Sequence, residues 1–339
     1  MPLAPIQLHI TNGDSAAEVI RGSGVSGDVL PWRDPMHHGP FPASLDLDES
    51  SELRAAYLAG LTGNLEQTTL SFRLRNEHLR SAMRYQEVVF WFEHDLLDQL
   101  QLLELLNWFS DAQIGSTKLT HICINDFPGL DDFRGLGQLN SKQMATLFPQ
   151  RVPVTQEQLQ LAKIAWEAFR SKEPSTLNAL VGTPLTALPF LRKSLQRYLQ
   201  EFPWASDGLT RTERQILRLV ASGVDDARSL FIENMNQEDA LYIGDLFTYR
   251  IIARLSQLNT PLLNCIADDK FSWPPAHDLA TNSFHEQTLS LTDDGRAVLA
   301  GERTAQSLIY RDEWLGGVHL LSGNNLWQWD NDSKRLVLS

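Results

Sequence analysis

Cysteine is nearly absent from this chain. Cys123 and Cys265 are the only two in 339 residues, too few for a disulfide framework, so a reducing, cytoplasmic location is expected. Long apolar runs are missing too. None approaches the ~20 residues that a membrane-spanning helix needs, which removes a membrane from the expected partners. The opening Met1-Pro2-Leu3-Ala4-Pro5 has neither the basic stretch nor the apolar core of a secretory signal. Basic residues are scarce: 29 Lys and Arg stand against 42 Asp and Glu, a net charge of -13. Affinity for nucleic acid comes mainly from contacts to phosphates, so this balance weighs against such a partner. Neither Gly-x-Gly-x-x-Gly nor Gly-x-x-x-x-Gly-Lys-Ser/Thr occurs, and no cofactor is named by a fingerprint. His-x-x-x-His and Cys-x-x-Cys spacings are missing as well, so no metal is assigned from spacing.

What is present is a strand-helix alternation over residues 1–135. Gln7-Leu8-His9-Ile10 reads as a strand that runs into the turn Asn12-Gly13-Asp14-Ser15 and then a short helix. Asp28-Val29-Leu30 is a second strand. It leads into a proline-broken loop that carries Arg33, Asp34, His37 and His38. Val88-Val89-Phe90-Trp91-Phe92 has the continuous apolar character of a strand buried on both faces. It ends on Glu93-His94-Asp95 before an apolar helix over 96–109. A fourth strand over 119–124 ends on Asn125-Asp126. This order predicts an α/β domain, Rossmann-like, with a mostly parallel sheet.

A mainly helical connector is expected over 136–207, with helices at 155–170 and 188–202. Residues 208–339 open with the capping box Thr210-Arg211-Thr212-Glu213. Helices at 210–222, 225–233 and 237–257, followed by apolar segments at 261–264 and 288–291, suit a winged-helix-like module with a long wing loop. The tail should add strands at 326–329 and 335–338. The third helix offers chiefly Arg250 and Arg254 to a groove, so protein contacts, including a homo-oligomer interface, suit the module better than reading DNA.

The phrases His9-Ile10-Thr11-Asn12-Gly13-Asp14-Ser15-Ala16-Ala17, Trp32-Arg33-Asp34 with Gly39-Pro40, Trp91-Phe92-Glu93-His94-Asp95 with Asp98-Gln99, and Trp314-Leu315-Gly316-Gly317-Val318 go together. As a set they resemble the bacterial family of domain of unknown function 1835, most closely over the α/β region. That family brings no established reaction, so the resemblance implies kinship without mechanism.

In a parallel sheet the C-terminal strand ends and the following helix N-termini share one edge, where amides and the helix dipole favour an anion. A small anionic ligand, nucleotide- or phosphate-like, is therefore expected there, held by Asn12, Gly13, Asp14, Arg33, Asp34 and Asn125. Hydrolase or transferase chemistry would draw on Ser15, His37, His94 and Asp95. The Gly13-Asp14-Ser15 turn is similar to the opening block of esterase-like hydrolases of the Gly-Asp-Ser-Leu type. That likeness implies Ser15 as nucleophile, Asn125 at the oxyanion and Asp34-Pro35-Met36-His37 as the acid-base pair. A general acid-base or metal cluster of Asp14, Asp34, His37, His94 and Asp95 is the other chemical reading. The plainer roles are caps: Asp14 or Ser15 for the first helix, His94 and Asp95 for the helix at 96–109, with Asp98 on its solvated first turn. The alternative for the whole chain is a transcriptional regulator or interaction module working through the C-terminal region.

Overall fold

In the computed structural model, which describes residues 6–266 and 287–339, the N-terminal strand β1 (Gln7–Thr11) runs into α1 (Asp14–Gly22) and β2 (Asp28–Pro31). A two-residue β3 (Gly39–Pro40) precedes α2 (Leu47–Thr62) and α3 (Leu65–Arg80). Then come β4 (Glu87–Glu93), α4 (Leu96–Asp111), β5 (Lys118–Ile124), α5 (Ser141–Leu147), β6 (Val152–Pro153), α6 (Gln156–Arg170), α7 (Ser175–Val181) and α8 (Leu191–Leu199). The chain falls into two compact units. One comprises the residues up to Ala56, Glu66–Leu195 and Gly316–Val318; the other comprises Tyr57–Leu65, Gln196–Leu315 and His319–Ser339. The connector expected at 136–207 is thus not a unit of its own, because it divides after Leu195.

The first unit is an α/β layer built on a five-stranded sheet in the order β2-β1-β4-β5-β6. The pairs β1–β2, β1–β4 and β4–β5 are parallel, and only the short edge strand β6 is antiparallel. All seven residues of β4 are buried, as expected of a strand covered on both faces. One face packs Val89, Trp91 and Ile122 against Ala16, Ile20, Leu136 and Met144. Each fully buried aliphatic side chain of this kind contributes about 1.5–3 kcal/mol. His9 is a buried core histidine: its Nδ1 accepts from Trp91 Nε1 at 3.1 Å, and its Nε2 lies 3.1 Å from the Ser26 carbonyl. On the other face, α4 packs on both β4 and α6. From β1 the chain goes to β2 on one side and returns to β4 on the other, so the strand order reverses between β1 and β4. Ligands of open α/β sheets bind outside the carboxyl ends at such a reversal.

The second unit carries α9 (Arg211–Ala221), α10 (Ala227–Asn236) and α11 (Asp245–Ser256), then the antiparallel pair β7 (Leu263–Ile266) and β8 (Thr288–Leu291). The helix α12 (Asp293–Leu299), capped by Thr292, was not foreseen in the sequence. Strands β9 (Asp312–Gly316), β10 (Val318–Leu321), β11 (Trp327–Asp330) and β12 (Arg335–Leu338) follow, and β11 pairs antiparallel with β12. The expected capping box is formed: Thr210 N donates to Glu213 Oε2 at 2.7 Å, and Glu213 N to Thr210 Oγ1 at 3.2 Å. The helix expected at 237–257 begins only at Asp245. Before it, Tyr242 is buried under Arg197, 3.6 Å from its ring centroid, and Gly244 takes an extended N-cap conformation. The segment 267–282, expected to be part of a wing loop, lies outside the described residues. No described helix is long and apolar enough to cross a membrane.

Candidate functional site

The carboxyl ends of β1 and β4 bring three acidic side chains together. Glu93 is the last residue of β4, Asp95 is the N-cap of α4, and Asp98 lies in its first turn. A carboxylate oxygen from each lies within 4.8 Å of the others. Their exposures are 3 %, 4 % and 0 %, so the cluster is interior rather than a solvated rim.

Hydrogen bonds fix each group. Asp95 accepts from Asp98 N at 2.9 Å, the capping bond that starts α4. Asp98 turns back to accept from Glu93 N at 2.7 Å. Asn12, the first residue after β1, donates its Nδ2 to Asp98 Oδ2 at 2.8 Å and to Glu93 Oε2 at 3.3 Å. The amide nitrogen of Asn12 thus faces a carboxyl oxygen of each. Leu136 N, in the 3-10 turn Leu136–Gln138, donates to Glu93 Oε1. That turn approaches so closely that a Cβ on Gly135 would sit 2.8 Å from Glu93 Oε2, and one on Gly137 would sit 2.9 Å from Ser15 Cβ.

Three buried carboxyls cannot all ionise without compensation. Burial first, and then the neighbouring Asp95 charge, pushes Glu93 up to about 8. Burial pushes Asp95 up to about 6. Asp98 is raised well above the usual range by burial and then by the charges of Glu93 and Asp95. Among the described residues no Lys, Arg or His pairs with any of the three. Oxygen donors in this number suit a hard divalent cation of the magnesium, manganese or calcium class.

The residues singled out in the sequence are distributed unevenly around this cluster. Asn12 and Asp95 belong to it. Asp14 and Arg33 form a half-exposed bidentate pair, at 2.7 and 2.6 Å, beside the N-terminus of α1. Gly13 is the N-cap of α1 without a side-chain bond, so neither Asp14 nor Ser15 caps that helix. Ser15 is exposed, and among the described residues no histidine is hydrogen-bonded to it. Asp34 is buried and ion-paired with buried Arg54 at 2.6 Å, which commits its carboxylate to the interior. His37 is buried with its ring 4.5 Å from that of His38. His94 sets its ring edge-on to Phe190, and its carbonyl accepts from Ser194 Oγ at 3.0 Å. Asn125 is exposed beyond β5.

Asp98 overturns the expectation of a solvated first turn, because it is wholly buried beside Glu93. A signal was available in α4, where Asp98, Gln101 and Glu104 recur at i, i+3 and i+6 in a helix otherwise dominated by leucine. All three are buried. Gln101 Nε2 donates to the Asp34 carbonyl at 2.9 Å and to the Asn12 carbonyl at 3.5 Å. Glu104 Oε2 accepts from Trp32 Nε1 at 2.8 Å, and Arg75 lies 3.9 Å from the Trp32 ring centroid.

In the second unit the two arginines considered for DNA have other surroundings. Arg254 pairs with Glu313 at 2.8 Å and with Glu213. Glu213 is wholly buried; burial raises it, but Arg311 and Arg254 outweigh burial and hold it below the usual carboxylate range. Burial pulls the Arg250 guanidinium down.

No family model matches the chain, and no curated protein matches it.

Proposed function

We propose that the first unit is a Rossmann-like domain that binds a divalent cation at the carboxyl ends of β1 and β4 and, through that cation, a small phosphate-like anion. One observation carries the reading: Glu93, Asp95 and Asp98 are buried within 4.8 Å of one another with no basic partner among the described residues. Such a cluster repels a bare anion. A bound cation reverses the local sign and gives a phosphate oxygen something to bind. The amides of Asp14, Ser15 and Ala16, which precede the first helical bond from Ala17 N to the Gly13 carbonyl, add an anion-favouring helix end at the same edge. Arg33, held over that end by Asp14, supplies a cationic side chain. A cation so placed can polarise a phosphoryl or carbonyl oxygen, and hydrolase or transferase activity follows from it without a serine nucleophile. In this reading the winged-helix-like order of the second unit serves protein contacts, because Arg254 is committed to Glu213 and Glu313.

Calorimetry and thermal melting of the full chain with Mg2+ or Mn2+ test the proposal. A cation at a hundred times its Kd stabilises the native state by about 2.7 kcal/mol. Nucleotides should add stability only when the cation is present. Asp98→Asn and Glu93→Gln should abolish the cation effect. A flat melting temperature up to millimolar cation would end the proposal.

A further inference from the structure

His9 is the middle residue of β1 and is wholly buried. Both of its ring nitrogens are committed, and their partners fix which one carries the hydrogen. An indole N–H can only donate, so Nδ1, 3.1 Å from Trp91 Nε1, is bare. A carbonyl can only accept, so Nε2, 3.1 Å from the Ser26 oxygen, holds the proton. The imidazole is thereby locked in one neutral tautomer. A second proton would enter at Nδ1, where it would face the Trp91 N–H, donor against donor.

The ring has little room to turn away. Trp91 and Phe148 meet it edge-on, with centroids at 5.9 and 5.8 Å. Gly27, at φ +140°, packs so tightly that a Cβ there would lie 2.9 Å from His9 Nε2. The charged groups around the ring are engaged elsewhere. On β4, Glu87 accepts from Arg151 at 2.8 and 3.2 Å and from Thr120 at 2.9 Å. On β2, Asp28 accepts from the Tyr85 hydroxyl at 2.6 Å. Arg151, which follows the 3-10 turn Phe148–Gln150, brings a like charge 4.0 Å from the Phe148 ring centroid. Burial pulls His9 below its ordinary value of 6.5; the Ser26 carbonyl, Glu87 and Asp28 oppose burial, and Arg151 reinforces it.

We propose that the His9–Trp91 bond is an acid-sensitive latch of the first unit, which joins β1 to β4 while His9 is neutral and opens when His9 takes a proton. The sign follows from the linkage of protonation to opening. The opened strand binds the proton more readily than the closed one, so the latch is complete above pH 6.5, weakens as the pH falls below that value, and levels off once the closed imidazole is itself charged. Phe148 lies parallel to Trp91 within 10° and shares the contact, so the 3-10 turn loosens together with the strands. β1 ends at Thr11, next to Asn12, so the element that acid releases is one of the two that build the carboxyl edge.

Long-range 1H–15N spectra of the full chain read histidine tautomers directly and need no variant. His9 should carry its hydrogen on Nε2 at neutral pH and stay neutral in the closed protein well below pH 6.5. Hydrogen exchange of the β1 and β4 amides then reads the opening. His9→Gln keeps a donor and an acceptor at this position and cannot charge, so it serves as the reference at each pH. Below pH 6.5 the wild type should open more than His9→Gln by about tenfold for each pH unit, and above about pH 7.5 the two should run parallel. Trp91→Phe removes the opposing donor, lets His9 charge more readily and should shrink the acid response. A proton on Nδ1 at neutral pH overturns the proposal. So does an imidazolium formed near pH 6.5 with the Trp91 indole signal unmoved, or an acid response equal in wild type and His9→Gln. Should either variant fail to fold, the wild-type spectra alone decide.

Discussion

Replacing Glu93 by Gln removes a charge from the acid cluster while keeping its shape. Burial, and then the neighbouring Asp95 charge, pushes the wild-type carboxyl in the folded protein up to about 8 from an ordinary value of 4.5. Its proton is therefore kept on folding and lost on unfolding throughout that interval. The sign follows: the contribution to stability is complete below pH 4.5, falls as the pH rises, and levels off above pH 8. At neutrality about 2.5 pH units of that window have been crossed, and at 1.36 kcal/mol each the loss is on the order of 3 kcal/mol. Gln stays neutral and escapes this loss. Native-state hydrogen exchange of β4 peptides reads the first unit locally, which matters in a two-unit chain where a single global transition is not assured. In chelator, the variant should gain on the wild type steadily from pH 5 to pH 8. Millimolar Mn2+ should restore the wild type at high pH and leave the variant unmoved. Parallel stabilities of the two proteins across pH 5–9 would refute the assignment of Glu93 as a buried, uncompensated acid.

Two further changes probe the surroundings. Asp34→Ala leaves Arg54 buried without its carboxylate and should cost about 3–5 kcal/mol in urea denaturation; the double change with Arg54→Met should cost less, and a single-variant loss below about 1 kcal/mol would contradict the buried pair. Gly135→Ala places a methyl group 2.8 Å from Glu93 Oε2, so the melting-temperature rise produced by Mn2+ should shrink while the chelated protein stays folded, and an undiminished rise would show that this turn does not hold the carboxylate.

Much of the first unit was legible in the residue pattern. The unbroken apolar run from Val88 to Phe92 announces a strand buried on both sides, and β4 is one. Thr210 announces a helix start through the glutamate three residues on, and that capping box forms, while the helix expected from 155 starts at Gln156 with Thr155 as its cap. Strand ends could be read as well, and Asn12 and Asp95 do sit at the β1–β4 reversal. The burial of Asp98 could not be read locally. An acid in a first helical turn is usually solvated, and only the packing of β1, the 3-10 turn at Leu136 and α4 removes water from this one. The fates of Asp34 and Arg254 were hidden for the same reason: Arg54 lies twenty residues from Asp34, and Glu313 lies 59 from Arg254. The short α5, β6 and α7 carry too few periods to stand out.

The amide of Gln101 ties the exits of β1 and β2 to one helix. β1 and β2 are paired neighbours in the sheet, and the shared fastening couples the position of one exit to that of the other. A leucine-lined cylinder could rotate on its axis and find nearly equivalent packings, but the Asp98, Gln101 and Glu104 stripe admits a single angular setting. The helix therefore works as an indexing pin, and the two strand exits it holds should keep one spacing rather than a range of spacings.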